Sequence, residues 1–404
     1  MVQTSGIPQP GRPELTRRYD VDWLRVLGMM VVFLFHNARF FDTDGWHVKS
    51  SRTTPVVTMI VILTVQWMMP LFFTLSGFGA YHALAHQRWP QYLSSRVKRL
   101  AVPLLFGIFV VIAPWQVYLE RVSHGQYSGS FWRWYPHYFE GWFGFGGNFA
   151  WMGVHLWYLE ALFVFSLLTL PLFLALRSHT GHRLLAALSS AMKTPGMILL
   201  LAVPIAIMEF IACSPALKDT LFGRRDFGGW SLLPYLAIFI VGFLLASGEE
   251  MARAMERHRF AGLILALLTF IAAYVAIKHY SLPESGVAFA ALHGLLCWAS
   301  LVALCGFASR HLRFSNGFLK YANEAVLPFY ILHQTIILTV GYYVLRLDTS
   351  LWIEYLIITT MSFLVIMALY ELLIRRISIL RLLFGMKMRP RSQPARVTEP
   401  TPAN

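Results

Sequence analysis

Charge is scarce in this chain. Only 13% of its 404 residues are Asp, Glu, Lys or Arg, against 57% hydrophobic, and the mean hydropathy of +0.55 is outside the usual composition of a soluble domain. Such a chain needs a bilayer as solvent. Cysteine is scarce as well: Cys213, Cys297 and Cys305 are odd in number, lie in or beside apolar runs and lack metal-ligand spacing, so they read as packing residues. No zinc signature is present, because the histidines are scattered over separate runs without thiolates or carboxylates at ligand spacing. A nucleophile elbow is also missing, as is a repeat of fixed period. The first 18 residues are Pro-rich and basic without the apolar core of a cleavable signal. The net charge of +14 does not indicate nucleic-acid binding, since the basic residues form short clusters between apolar runs, where membrane topology explains them.

Long apolar runs are what the chain has instead. Runs able to cross roughly 30 Å of hydrocarbon occur near 21–41, 56–85, 100–119, 153–176, 195–213, 231–248, 260–279, 286–307, 325–346 and 352–374. Because irregular backbone cannot face lipid, each reads as a helix. The expected fold is therefore an all-α polytopic membrane protein of about ten spans. Residues 1–19 form a short segment before the first span, 20–375 the transmembrane domain, and 376–404 a basic, partly disordered tail. The second run is overlong and contains Pro70, Gly77 and Gly79, where a kink or break is expected. Of the 34 Lys and Arg residues, an orientation with both termini in the cytoplasm places 23 inside and ten outside, with Arg25 in the first span. The positive-inside bias therefore favours N-in, C-in.

One outside loop is long, about 120–152, and carries Trp132, Trp134, Tyr135, Tyr138, Trp142, Phe143 and Trp151. It reads equally as an interfacial aromatic belt and as a platform on which sugar rings stack.

Ionisable groups inside lipid cost several kcal/mol unless paired or facing a cavity, so each marks a candidate function. Arg25 and His36 share the first span. Eleven residues apart, they differ by about 20° in direction and about 16.5 Å in depth, with Arg25 at the inner surface and His36 in the outer half. Asp22 is placed to hold Arg25 by an i,i+3 pair. The bland reading of Arg25 is snorkelling. A membrane histidine is often only a structural hydrogen-bonder, yet a neutral imidazole is also the side chain best suited to proton transfer near pH 7. His155 opens the fourth span at about the level of His36, and His333 lies near the middle of the ninth. Ser76, next to Gly77, is in the inner half of the second, where small residues also serve close helix packing. Arg96 and Arg99, in Arg96-Val97-Lys98-Arg99, lie just inside the membrane as a topology signal or a phosphate site.

Five motifs occur in order: Arg25 with His36, Phe72-Phe73-Thr74-Leu75-Ser76-Gly77-Phe78, Arg96-Val97-Lys98-Arg99, His155-Leu156-Trp157-Tyr158-Leu159 and Phe329-Tyr330-Ile331-Leu332-His333. Together they resemble the acyltransferase 3 family of integral membrane acyltransferases over nearly the whole chain. Trp46-His47-Val48-Lys49-Ser50 and the basic tail are similar to the branch of that family that decorates periplasmic glucans. The resemblance implies O-acylation of an extracytoplasmic carbohydrate from a cytoplasmic acyl-CoA in the bacterial inner membrane, with no permanently bound cofactor and with glucan-synthesis proteins as partners. On that reading His36 is the general base or a transient acyl carrier, and Ser76, His155 and His333 position or polarise the reacting groups. Arg25, Arg96 and Arg99 hold the CoA head, and Arg39 is a candidate to meet the extra carboxylate of a succinyl donor. The rival reading is a transporter or flippase for a lipid-linked sugar or organic acid, with the histidines as a proton relay. A membrane scaffold without catalysis is a third.

Overall fold

A computed structural model describes residues 17–110, 112–283 and 286–388. Most of the two terminal segments, 1–16 and 389–404, thus lies outside the described residues. Among the described residues helix is the only regular secondary structure, apart from two isolated bridges, Trp142 to Phe149 and Phe227 to Trp230. Its main helices are α1 (Tyr19–Ala38), α2 (Pro55–Val65), α3 (Met68–His86), α4 (Trp89–Ser123), α5 (Val154–Leu168), α6 (Leu170–Leu176), α7 (His179–Ala191) and α8 (Met197–Ala212). They continue with α9 (Leu232–Leu245), α10 (Glu249–Arg257), α11 (Arg259–Tyr280), α12 (Val287–His311), α13 (Gly317–Leu347), α14 (Leu351–Ile374) and α15 (Ser378–Leu383).

Among the described residues seven helical segments are long and apolar enough to cross a membrane, and up to nine if each of two bent pairs is one span. The pairs are α5 with α6, bent by 51°, and α9 with α10, bent by 109°. Every expected apolar run is helical, but the run at 195–213 forms only the shorter α8. The sharp turn after α9 has a chemical reason: Glu249 and Glu250 both pair with Arg253 on α10, and such a helix belongs across a membrane face, not within lipid.

The overlong second run does break, although not where Pro70 and the glycines suggested. The interruption is at Gln66 and Trp67, between α2 and α3. Pro70 falls in the first turn of α3, where its missing N–H costs no intrahelical bond. Gly77 serves packing instead. A Cβ there would lie 2.3 Å from the Phe239 carbonyl, and one on Gly242 would lie 2.3 Å from the Thr74 carbonyl, so α3 and α9 touch backbone to backbone. Backbone cannot retreat as a side chain does. Gly77→Ala is therefore expected to destabilise the protein by about 1–3 kcal/mol, measured as a lowered thermal midpoint in detergent.

α1 occupies the centre, packed against α3, α12, α13 and α14. Phe33 is buried on it, with ring centroids 5.4 Å from Phe329 and 6.2 Å from Phe363. This central position lets one helix line cavities at both ends of the bundle.

Candidate functional site

At the loop end a cavity of about 750 Å³ opens between α1, α2, α3, α5 and α13, and His36, His47, His155, Tyr330 and Gln334 line it. The 120–152 loop divides its aromatics between two tasks. Phe131, Trp134 and Tyr138 form a small core against α4, whereas Phe143, Phe145 and Trp151 wall the cavity. Trp132, Trp142 and Phe145 remain exposed.

His36 and His155 line the cavity and the fully buried His333 lies beside both, the three rings coming from three helices. The His333 ring is 5.0 Å from His36 and 5.0 Å from His155, centroid to centroid. Their hydrogen bonds assign different states. Nε2–H of His155 donates to the Tyr330 and Ile331 carbonyls at 3.2 Å, and its Nδ1 accepts from Gln116 at 3.0 Å. His155 is thereby saturated. Nδ1–H of His333 donates to the Tyr330 carbonyl at 2.5 Å, leaving its Nε2 buried and unpartnered. Nδ1 of His36 is likewise buried and unpartnered, and its ring stacks on Trp46 with centroids 6.0 Å apart.

Gln116 was not singled out from sequence, yet it organises this cluster. Its amide N–H groups reach His155 and Thr335 (2.7 Å), and its carbonyl accepts from Gln334 at 3.1 Å. A buried amide inside an apolar run is the signal that would have found it.

Arg39 also lines the cavity, but its guanidinium pairs with the fully buried Asp42 and, at 3.6 Å, with Asp44, while Lys49 adds a 2.7 Å contact to Asp42, so two cations face two carboxylates. The charge is thus already compensated. Ser76 lines neither cavity. Its hydroxyl is hydrogen-bonded to that of Tyr158 at 2.6 Å, beside Phe72, which fills the space over Gly28.

A second cavity, of about 270 Å³, lies at the other end of α1 and is lined by Arg17, Arg18, Asp22, Arg25, His82 and His86. Asp22 accepts from Arg17, from Asn323 and, at 3.3 Å, from Arg25, confirming the i,i+3 contact. Arg96 and Arg99 are near rather than in this cavity. Arg96 lies over the Tyr92 ring at 4.6 Å, and Arg99 sits on a π-helical turn at Val97–Ala101. Arg17, Arg18, His82 and His86 are basic groups the sequence reading had not placed here. Among the described residues no three His, Cys, Asp or Glu side chains form a group that would hold a metal ion.

Comparison with known proteins gives the family. The family model described as an acyltransferase domain, that of the acyltransferase 3 family, matches residues 18–371, which include every cavity-lining residue named above except Arg17. Glucans biosynthesis protein C of Escherichia coli strain SMS-3-5 is 26% identical over 381 residues, covering 92% of this chain and 95% of that protein. The protein of the same name from strain K12 is 25% identical over the same extent. No solved structure matches. A helical bundle with membrane-spanning apolar helices, a histidine-lined cavity and a family match over most of its length thus make this chain a member of the acyltransferase 3 family, a multi-pass membrane acyltransferase.

Proposed function

We propose that the protein transfers an acyl group, acetyl or succinyl in kind, from a cytoplasmic acyl-CoA to a hydroxyl of an extracytoplasmic carbohydrate. We take a periplasmic glucan as the acceptor, the relatives being named for glucans biosynthesis. The observation carrying this reading is that α1 lines both cavities, with Arg25 in the basic one and His36 in the other. With the termini in the cytoplasm of an inner-membrane protein, the basic cavity faces the donor. Its guanidinium groups, with Arg96 and Arg99 beside them, suit the phosphates of a CoA head. The rise of about 16.5 Å from Arg25 to His36 is comparable to the reach of a pantetheine arm. Acyl carbon then meets His36 while the nucleotide stays below.

His36 is the reacting group, as acyl carrier or as base. His333 is its proton partner, because Nε2 of His333 is the only ring nitrogen of that residue left to accept a proton from Nδ1 of His36. Gln116 and His155 hold the wall behind them. Ser76 with Tyr158 and Phe72 occupies the narrow stretch between the cavities, where the arm must pass. Glucan-synthesis proteins that deliver the acceptor are the partners this reading implies.

The test is radiolabelled acyl-CoA sealed on the inner side of vesicles, with glucan outside. Label covalently attached to outside glucan is the expected result. Movement of intact substrate without covalent transfer would make the protein a transporter or flippase, and this reading would be abandoned.

A further inference from the structure

His47 and Glu120 form a second polar centre that the transfer described above leaves unused. Nδ1 of His47 is hydrogen-bonded to a carboxylate oxygen of Glu120, and both side chains are only 13% and 14% exposed. The other carboxylate oxygen is 3.7 Å from Arg121. The pair is braced from both sides. Ser123 donates to the His47 carbonyl at 2.7 Å, and Arg121 is tied to Asn148 and to the Gly147 carbonyl at 2.9 and 2.8 Å.

Since Glu120 accepts from Nδ1–H, Nε2 of His47 carries the lone pair, and His47 lines the 750 Å³ cavity. Trp46 separates it from His36, with centroids 6.0 Å from His36 and 5.7 Å from His47. A carboxylate behind an imidazole orients the ring, selects the tautomer and stabilises the imidazolium that forms on proton uptake. Among the described residues His36, His155 and His333 have no carboxylate partner in their hydrogen bonds. His47 is therefore the imidazole in the cavity best equipped to accept a proton.

Resting on the acyl-transfer reading, we infer that His47 is the catalytic base for the acceptor hydroxyl, that Glu120 is its positioning residue, and that His36 is the acyl carrier. In the first half-reaction Nε2 of His36 attacks the thioester carbonyl, the C–N bond forms, the C–S bond breaks and CoA leaves as thiolate, while the Nδ1 proton moves to His333. In the second, Nε2 of His47 takes the proton of the acceptor hydroxyl and its oxygen attacks the acyl-imidazole carbonyl. The C–O bond forms, the C–N bond breaks and the proton on His333 returns to His36. CoA thiolate takes a proton from the donor side, and His47 releases one to the acceptor side. Donor and acceptor need not meet.

The experiment uses purified full-length protein in liposomes, with acyl-CoA as donor and two acceptors compared: periplasmic glucan and hydroxylamine, a nucleophile that is unprotonated near neutral pH and needs no base. Rates in empty liposomes are subtracted. His47→Ala and Glu120→Gln are expected to lower glucan acylation by about 100-fold and to leave hydroxamate formation within about twofold of wild type, with added imidazole restoring part of the glucan rate in His47→Ala. Unchanged glucan acylation in His47→Ala would overturn the inference while the acyl-transfer reading stands. So would equal loss with both acceptors in a His47→Ala or His47→Gln protein that keeps its wild-type thermal midpoint. Wild-type protein inactive with both acceptors would instead sink the acyl-transfer reading.

Discussion

Replacing His36 by alanine is expected to lower acyl transfer by about 10³-fold, within the range for loss of a positioned acid–base or nucleophilic imidazole. Both acceptors should be affected alike, because without the carrier no acyl group reaches the upper cavity. The fold should survive. His36 is only partly buried, its Nδ1 has no hydrogen bond to lose, and the ring's neighbours, Trp46 and Phe35, retain other contacts. His333→Ala should cost less, about 10- to 100-fold, since it removes the proton partner and leaves the attacking nitrogen in place. The measurement is single-turnover transfer at equal amounts of monodisperse protein. Normal turnover in His36→Ala would remove the histidine from the centre of the mechanism and return it to a structural role.

What the sequence made legible follows the range of the forces involved. Helices read well because apolar runs in lipid have no alternative to satisfying their own backbone. The alignment of Arg25 with His36 read well because both lie on one uninterrupted helix, where spacing alone sets direction. The break at Gln66 was hidden, since no glycine or proline marks it and Pro70, the conspicuous breaker, is harmless in a first turn. The run at 195–213 was apolar enough to suggest a full span, but its helix stops at Ala212 and the chain enters the loop that supplies Asp219, Arg224 and Phe227 to the cavity wall.

The site was legible in its members more than in its grouping. His36, His155 and His333 converge, as their depths suggested, but the difference between a saturated His155 and a half-open His333 is set by Gln116 and the Tyr330 carbonyl across separate helices. The pairing of His47 with Glu120 joins residues 73 positions apart, a distance at which no periodicity carries information. Arg39 shows the converse case. Its position near the reacting end was apparent, whereas its neutralisation by Asp42 depends on how the loop after α1 folds back over Lys49.

Arg25→Ala is expected to raise the KM for acyl-CoA by about 100-fold, the effect of removing one partner from a hydrogen-bonded, partly desolvated charge pair worth about 2–5 kcal/mol. kcat at saturating donor should change much less, because the guanidinium holds the head and not the reacting carbon. Arg25→Lys keeps the charge and still should raise KM by about tenfold, since an ammonium cannot reproduce two parallel N–H contacts to a phosphate. A control exists at the opposite end of the bundle. Arg224 lines the upper cavity, where it pairs with Asp226, so Arg224→Ala should leave donor KM unaltered and change only acceptor use. Raising the salt concentration should weaken donor binding in wild type more than in Arg25→Ala, because the lost interaction is a partly exposed, screened one. Equal donor affinity in wild type, Arg25→Ala and Arg25→Lys would mean that Arg25 only snorkels to the headgroups, and the donor site would then have to be built from Arg96 and Arg99 without it.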